Sequence, residues 1–124
     1  IAGVLIAHAM FDQPILQVAT QERIGLHLAF AELIATFGLI CIIALAGRKH
    51  VEFAPLSIAA YITSAYWFTS STSFANPAVT IARTFTSTFC GIAPSGVAPF
   101  VLAQLCGALC AFFLLSAARL HEKP

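Results

Sequence analysis

Asn76-Pro77-Ala78-Val79-Thr80 stands near the middle of a chain that is otherwise largely apolar. Asn before Pro is a helix-start signal. The Asn side chain caps free N–H groups, and Pro accepts the first helical position, where an N–H would have no partner anyway. The pattern predicts a helix over 76–89, roughly 20 Å long at ~1.5 Å per residue. A hydrocarbon core about 30 Å thick is too deep for such a helix to cross. A helix that enters without crossing must keep its polar start among protein or water. The stretch therefore reads as a re-entrant half-helix lining a pore.

Four apolar stretches surround it. Residues 1–11 are too few to span and read as the end of a helix whose start is missing. Residues 28–47, 54–73 and 97–118 each read as a full span, with Pro55 suited to a first turn. Residues 90–96, which hold Gly91, Pro94 and Gly96, read as loop. The expected fold is an all-α membrane bundle with three full spans, one half-helix and the tail of a fourth span. The chain opens inside an apolar run without an initiating Met, so it reads as a piece cut within a helix. A faint echo between Ile1–Ala7 and Leu105–Ala111 fits the internal repeat of many transport folds.

Composition agrees. Apolar residues make up 60% of the 124 and charged residues 9%, with mean hydropathy +0.92, outside the balance of a soluble domain. A net charge of +1 argues against nucleic-acid binding, which draws on clustered Lys and Arg. The basic clusters Arg48-Lys49-His50 and Arg119-Leu120-His121-Glu122-Lys123 fall on one side of the membrane. The positive-inside rule makes that side cytoplasmic and puts the half-helix on the outer side. The chain is thus expected to be a multi-pass integral protein of a plasma (bacterial inner) membrane. Arg23 is the one basic residue of the outer connection, accompanied by Asp12 and Glu22.

On an ideal wheel of about 100° per residue, Asn76, Thr80, Arg83 and Ser87 share a polar face, opposite Ala78, Ile81, Ala82, Phe85 and Phe89. The first face should line water and the second should pack. A surface-lying amphipathic helix is the bland alternative, but a single Arg is a poor surface anchor. Asn76 can cap backbone or offer its amide to a solute, not both with the same atoms. Glu32 is the only acid inside a full span. It is either a proton relay or an acceptor for the unpaired N–H groups of a loop within the membrane. The spans hold no second acid or His to continue a relay, which favours the structural role.

Gln104 reads as an interhelical hydrogen-bonding residue, and Ala103, Gly107 and Ala111 as a small-residue packing face. Cys41, Cys90, Cys106 and Cys110 lack metal-ligand spacing and read as free thiols. No phosphate loop, nucleophile elbow or carboxylate pair appears, so no catalytic residue, metal or cofactor is assigned and an enzyme is not expected.

These residues also resemble a known family. Ser73-Phe74-Ala75-Asn76-Pro77-Ala78-Val79-Thr80 is similar to the Asn-Pro-Ala signature of the aquaporin, or major intrinsic protein, family. Ala31–Gly38 resembles the start of its fourth helix, and Gln104–Ala108 its Gln-x-x-Gly-Ala pattern. The resemblance covers essentially the whole chain and reads as the C-terminal half, from the end of helix three to helix six. It implies an aquaporin-like right-handed helical bundle in which two opposed half-helices meet at mid-membrane. It also implies a missing N-terminal half and a homotetramer with one pore per subunit, passing water or small neutral solutes across a lipid bilayer. Glu32 matches an acid that accepts loop N–H bonds, while Ser64 and Ser73 match filter-lining positions.

One position departs from the pattern. Most members carry Arg directly after the second Asn-Pro-Ala, where this chain has Val79, and its first Arg is Arg83. One helical turn moves the guanidinium by about 6 Å. The filter would then lie further out, be wider, or both, which suits glycerol, urea-like molecules or neutral metalloid acids such as arsenous acid. Two other readings stand beside the passive channel. One is an ion-coupled transporter that uses Glu32 and Arg83 as mobile charges. The other is a non-conducting membrane fragment.

Overall fold

The computed structural model describes residues 1–49 and 51–121, and every regular element in them is helical. His50, Glu122 and Lys123 of the two basic clusters lie outside the described residues. Helix α1 (Ala2–Met10) is short, and its apolar run is broken by one buried residue, His8. Helix α2 (Leu26–Lys49) leads through a 3-10 turn at Val51–Phe53 into α3 (Ala54–Phe68), with Pro55 in the first turn. Helix α4 (Pro77–Ala82) continues as a 3-10 turn at Arg83–Phe85, and α5 (Pro94–His121) closes the chain.

Leu26–Gly47 and Pro94–Ala118 are long and apolar enough to cross a bilayer, with mean hydropathies of 2.4 and 2.2. The third expected span is shorter than the sequence suggested. Helix α3 stops at Phe68, five residues before Ser73: Thr69 turns to extended backbone, and further on the Ser71 hydroxyl accepts the Ser73 N–H at 3.2 Å. A hydroxyl-rich run offers the backbone such local alternatives to helix. The last helix starts at Pro94 rather than at 97, since Pro94 fills a first-turn position and the helix accommodates Pro99.

Helix α4 is also shorter than the helix expected over 76–89. It ends at Ala82, not Phe89: the chain tightens into the 3-10 turn at Arg83–Phe85 and is extended by Thr86. Six residues at ~1.5 Å each make it roughly 9 Å long.

Packing follows the small residues. Helix α2 lies along α5, and α3 packs against α2. Where α2 and α5 approach, Gly107 faces the Leu33 carbonyl so closely that a Cβ would strike it, and Ala35 and Ala111 are buried. Close backbone approach of this kind is what small residues allow. Against α3, the Tyr61 hydroxyl fills the space over Gly38 and donates to the Ala35 carbonyl at 3.0 Å. The outward side of α5 leaves Leu102, Leu105, Leu109, Phe112 and Phe113 exposed, as a lipid-facing helix can. A cluster of Phe74, Ile92 and Phe100, joined by Leu28, Val79 and Val97, seats α4 against α5.

Candidate functional site: a short capped helix and its buried supports

Asn76 begins α4 with extended backbone, and its Oδ1 accepts the Ala78 N–H at 2.8 Å. Its main-chain carbonyl accepts the Thr80 N–H and the Thr80 hydroxyl, both at 3.0 Å. The oxygen is therefore committed to the helix, and the exposed side chain has its amide N–H groups to offer.

The segment ahead of Asn76 is bent sharply. Thr72, Ser73 and Ala75 all have positive φ, at 63°, 48° and 49°. Left-handed backbone costs an L-residue roughly 1–2 kcal/mol. What offsets that cost is the wholly buried Glu32 of α2. One carboxyl oxygen accepts the Phe74 N–H and the other the Ala75 N–H, each at 2.8 Å. The second oxygen also accepts the Gln104 side-chain N–H of α5 at 2.6 Å, and the same nitrogen donates to the Thr80 hydroxyl oxygen at 2.9 Å. Glu32, Gln104 and Thr80 thus tie α2, α5, α4 and its lead-in into one buried network.

The expected polar face is divided by this arrangement. Thr80 is completely buried and bonded to Gln104, whereas Ala78 and Ile81 are exposed. The helix ends before Arg83 and Ser87, so neither continues the face that an unbroken helix would give them. Ser87 is exposed, and its backbone N–H donates to Gln17. Val79 packs on the Phe74 cluster. Ser64 is exposed on α3, with its hydroxyl donating to the Ala60 carbonyl, and Ser73 is half-buried in the bent segment.

Arg23 is the residue that sequence reasoning passed over. It is buried, and its guanidinium donates to three main-chain carbonyls: Nε to Gly91 at 2.8 Å, Nη1 to Ser71 at 3.0 Å and Nη2 to Phe89 at 2.7 Å. One side chain from the 11–25 connection thereby holds the chain both before and after α4. Main-chain bonds reinforce the tie, from Ala19 N–H to Thr84 and from Ala93 N–H to Gln21, each at 2.8 Å. Burial, and then the nearby Arg83 charge, lower the Arg23 pKa from its usual value. The three charge-assisted bonds offset that cost. Arg23 and Arg83 both lie over the Phe74 ring, at 5.2 and 4.2 Å from its centre.

The sequence reads His8 as a solvated or interfacial residue at a membrane edge, and the structure corrects that reading. It is buried, with Nδ1 at 3.0 Å from the Ile15 carbonyl and Nε2 at 2.9 Å from the Thr86 hydroxyl. A lone His in an apolar run was its only signal in the sequence. It joins α1 to the segment after α4.

The chain is 50% identical over 115 residues to aquaglyceroporin AqpS of Rhizobium meliloti (strain 1021), which is 93% of this chain and 49% of that protein. It therefore spans about half the length of that curated relative, matching its C-terminal half. No family model matches the chain, and no solved structure matches it significantly. With the relative's identity added to the apolar helices and the capped Asn-Pro-Ala turn, the chain is that of an integral membrane protein and belongs to the aquaporin, or major intrinsic protein, family.

Proposed function

We propose that the chain supplies the C-terminal half of a passive channel for water and small neutral solutes, with α4 as its re-entrant half-helix. The observation that carries this reading is the Asn76 turn. Its side-chain oxygen is spent on the cap, its amide N–H groups stay exposed, and the helix behind it is anchored by buried bonds. A fixed donor with no acceptor of its own can receive a hydroxyl or water oxygen but cannot relay a proton onward. Proton exclusion follows from that. The relative's name, aquaglyceroporin, supports solutes of glycerol class.

Val79 beside the motif leaves no cation at that point of the path, and Ser64 and Ser73 are small hydroxyl residues. The opening is then wide enough for glycerol, urea-like molecules or neutral metalloid acids. A complete pore would need an N-terminal half of the same channel, set in a bacterial inner membrane and assembled as a homotetramer. In this reading Glu32 is a structural acid. Both its oxygens hold N–H donors, so a proton arriving there would displace the bonds that keep Phe74 and Ala75 in place. That occupancy counts against the ion-coupled transporter.

Stopped-flow light scattering on proteoliposomes holding the full-length protein tests the reading. Solute-driven swelling should have a low activation energy and ignore an imposed proton gradient. Uptake that follows the proton gradient overturns it. Arg83→Ala should raise permeability to larger or cationic solutes, whereas an unchanged profile takes Arg83 out of the conduction path.

A further inference from the structure

Arg83 follows α4 directly, at the start of the 3-10 turn, so no further α-helix directs its side chain. Among the described residues nothing accepts a hydrogen bond from its Nη1, which is buried. Glu32 already holds three donors, and no acid stands on the wall of the cavity of about 380 Å³ that Arg83 borders beside α1. What holds the guanidinium is a ring. Its Cζ lies 4.2 Å from the centre of the Phe74 ring, well inside the roughly 6 Å over which a cation is drawn to an aromatic face. The ring is itself fixed. Phe74 is 4% exposed, meets Phe100 edge to face at 5.3 Å, and has its N–H on the Glu32 carboxylate at 2.8 Å. Arg23 stands over the same ring at 5.2 Å, but three carbonyls already hold it in place. The charges of the two guanidiniums oppose each other, which leaves ring attraction to keep Arg83 from swinging outward.

We propose that Phe74 is a positioning residue for Arg83, and that the attraction of its ring sets how well the channel excludes cations. The inference rests on the reading of Arg83 as a residue of the conduction path. A guanidinium seated on the ring keeps a fixed positive charge at the wall of the path, and a fixed charge of one sign bars ions of that sign. Off the ring, and repelled by Arg23, the side chain carries that charge away from the wall. Cation leak then follows the fraction of time Arg83 spends off the ring. Phe74 is too deeply buried to meet a solute itself, so it acts through Arg83. The same ring belongs to the cluster with Ile92 and Phe100, so cutting it down to Leu would disturb packing along with the charge. Ring fluorination separates the two effects, because it drains the negative ring face that attracts the cation and leaves the shape nearly unchanged.

Tracer uptake into proteoliposomes holding the full-length protein tests this, with glycerol as the neutral probe and guanidinium ion as the cationic one. Phenylalanine carrying successively more ring fluorines is placed at position 74 by nonsense suppression. The guanidinium-to-glycerol ratio should climb with each added fluorine, by on the order of tenfold across the series, as the loss of a desolvated cation–ring contact allows. With Arg83→Ala the ratio should start high and stay flat along the series. Arg83→Gln serves in its place if the Ala variant does not fold. A flat series with Arg83 present, beside a raised ratio for Arg83→Ala, overturns the proposal and leaves the channel reading standing. A series that still climbs without Arg83 also overturns it, since Arg23 or packing would then be acting. A ratio for Arg83→Ala equal to that of the native protein, or no glycerol uptake at all, overturns the proposal together with the reading it rests on.

Discussion

Two side chains, Glu32 and Arg23, decide the shape of the segment around Asn76, and they do so from opposite charges. Glu32 gathers N–H groups and Arg23 gathers carbonyls, which together satisfy an irregular and largely buried backbone. Glu32→Gln leaves one oxygen to serve the Phe74 and Ala75 N–H groups and turns a donor toward Gln104. A loss of roughly 1–3 kcal/mol is expected, the cost of an orphaned buried group. Detergent unfolding of the purified variant should show it, and the residual transport of the folded fraction should keep its selectivity. If a stably folded variant lost transport altogether, the structural assignment of Glu32 would be wrong. Arg23→Gln removes at least two of three charge-assisted bonds, each worth about 1.5–3 kcal/mol. It should destabilise more than Arg23→Lys, measured in the same way. Glu32 was legible in the sequence because an acid inside an apolar span has few uses. Arg23 was not, because its three carbonyl partners lie 48, 66 and 68 residues away and main-chain carbonyls leave no mark in a sequence.

Among the elements, the apolar runs of α2 and α5 were readable to within a few residues, and the small residues of α5 marked the face that meets α2. The ends of α3 and α4 were less readable. A helix stops where a local hydrogen bond competes with the next turn, as the Ser71 hydroxyl does here by accepting the Ser73 N–H, and that outcome depends on geometry as much as on residue type. The wheel that grouped Asn76, Thr80, Arg83 and Ser87 assumed an unbroken helix, and once α4 ends at Ala82 the angular relation is lost. Gly107→Val should part α2 from α5, because any Cβ there meets the Leu33 carbonyl and main chain cannot step aside as a side chain can. A loss of about 1–3 kcal/mol is expected for such overpacking. The comparison with Ala103→Val, at a half-buried position on the same helix, shows whether the effect belongs to the contact. Asn76→Ala removes the cap of α4 at a cost of about 1 kcal/mol. It also removes the exposed amide, so flux should change more than stability does.

At the scale of the molecule, the membrane class was visible in composition alone, since 60% apolar residues with 9% charged leave few soluble alternatives. The way the 11–25 connection closes over the segment after α4 was not visible, because it rests on long-range main-chain pairs such as Ala19 with Thr84 and Ala93 with Gln21. Those pairs and the Arg23 fan give the chain a rule of inheritance. Arg23 meets Ser71 on one side of α4 and Phe89 and Gly91 on the other, so these positions form a unit that is discontinuous in sequence. A chimera with a relative that takes the 11–25 connection from one parent and 71–91 from the other should assemble poorly, even if every helix is exchanged whole. A chimera that moves both stretches together should express at the level of its parents. Crossover points for recombining such chains are thus set by where one guanidinium reaches, and not by where the helices end.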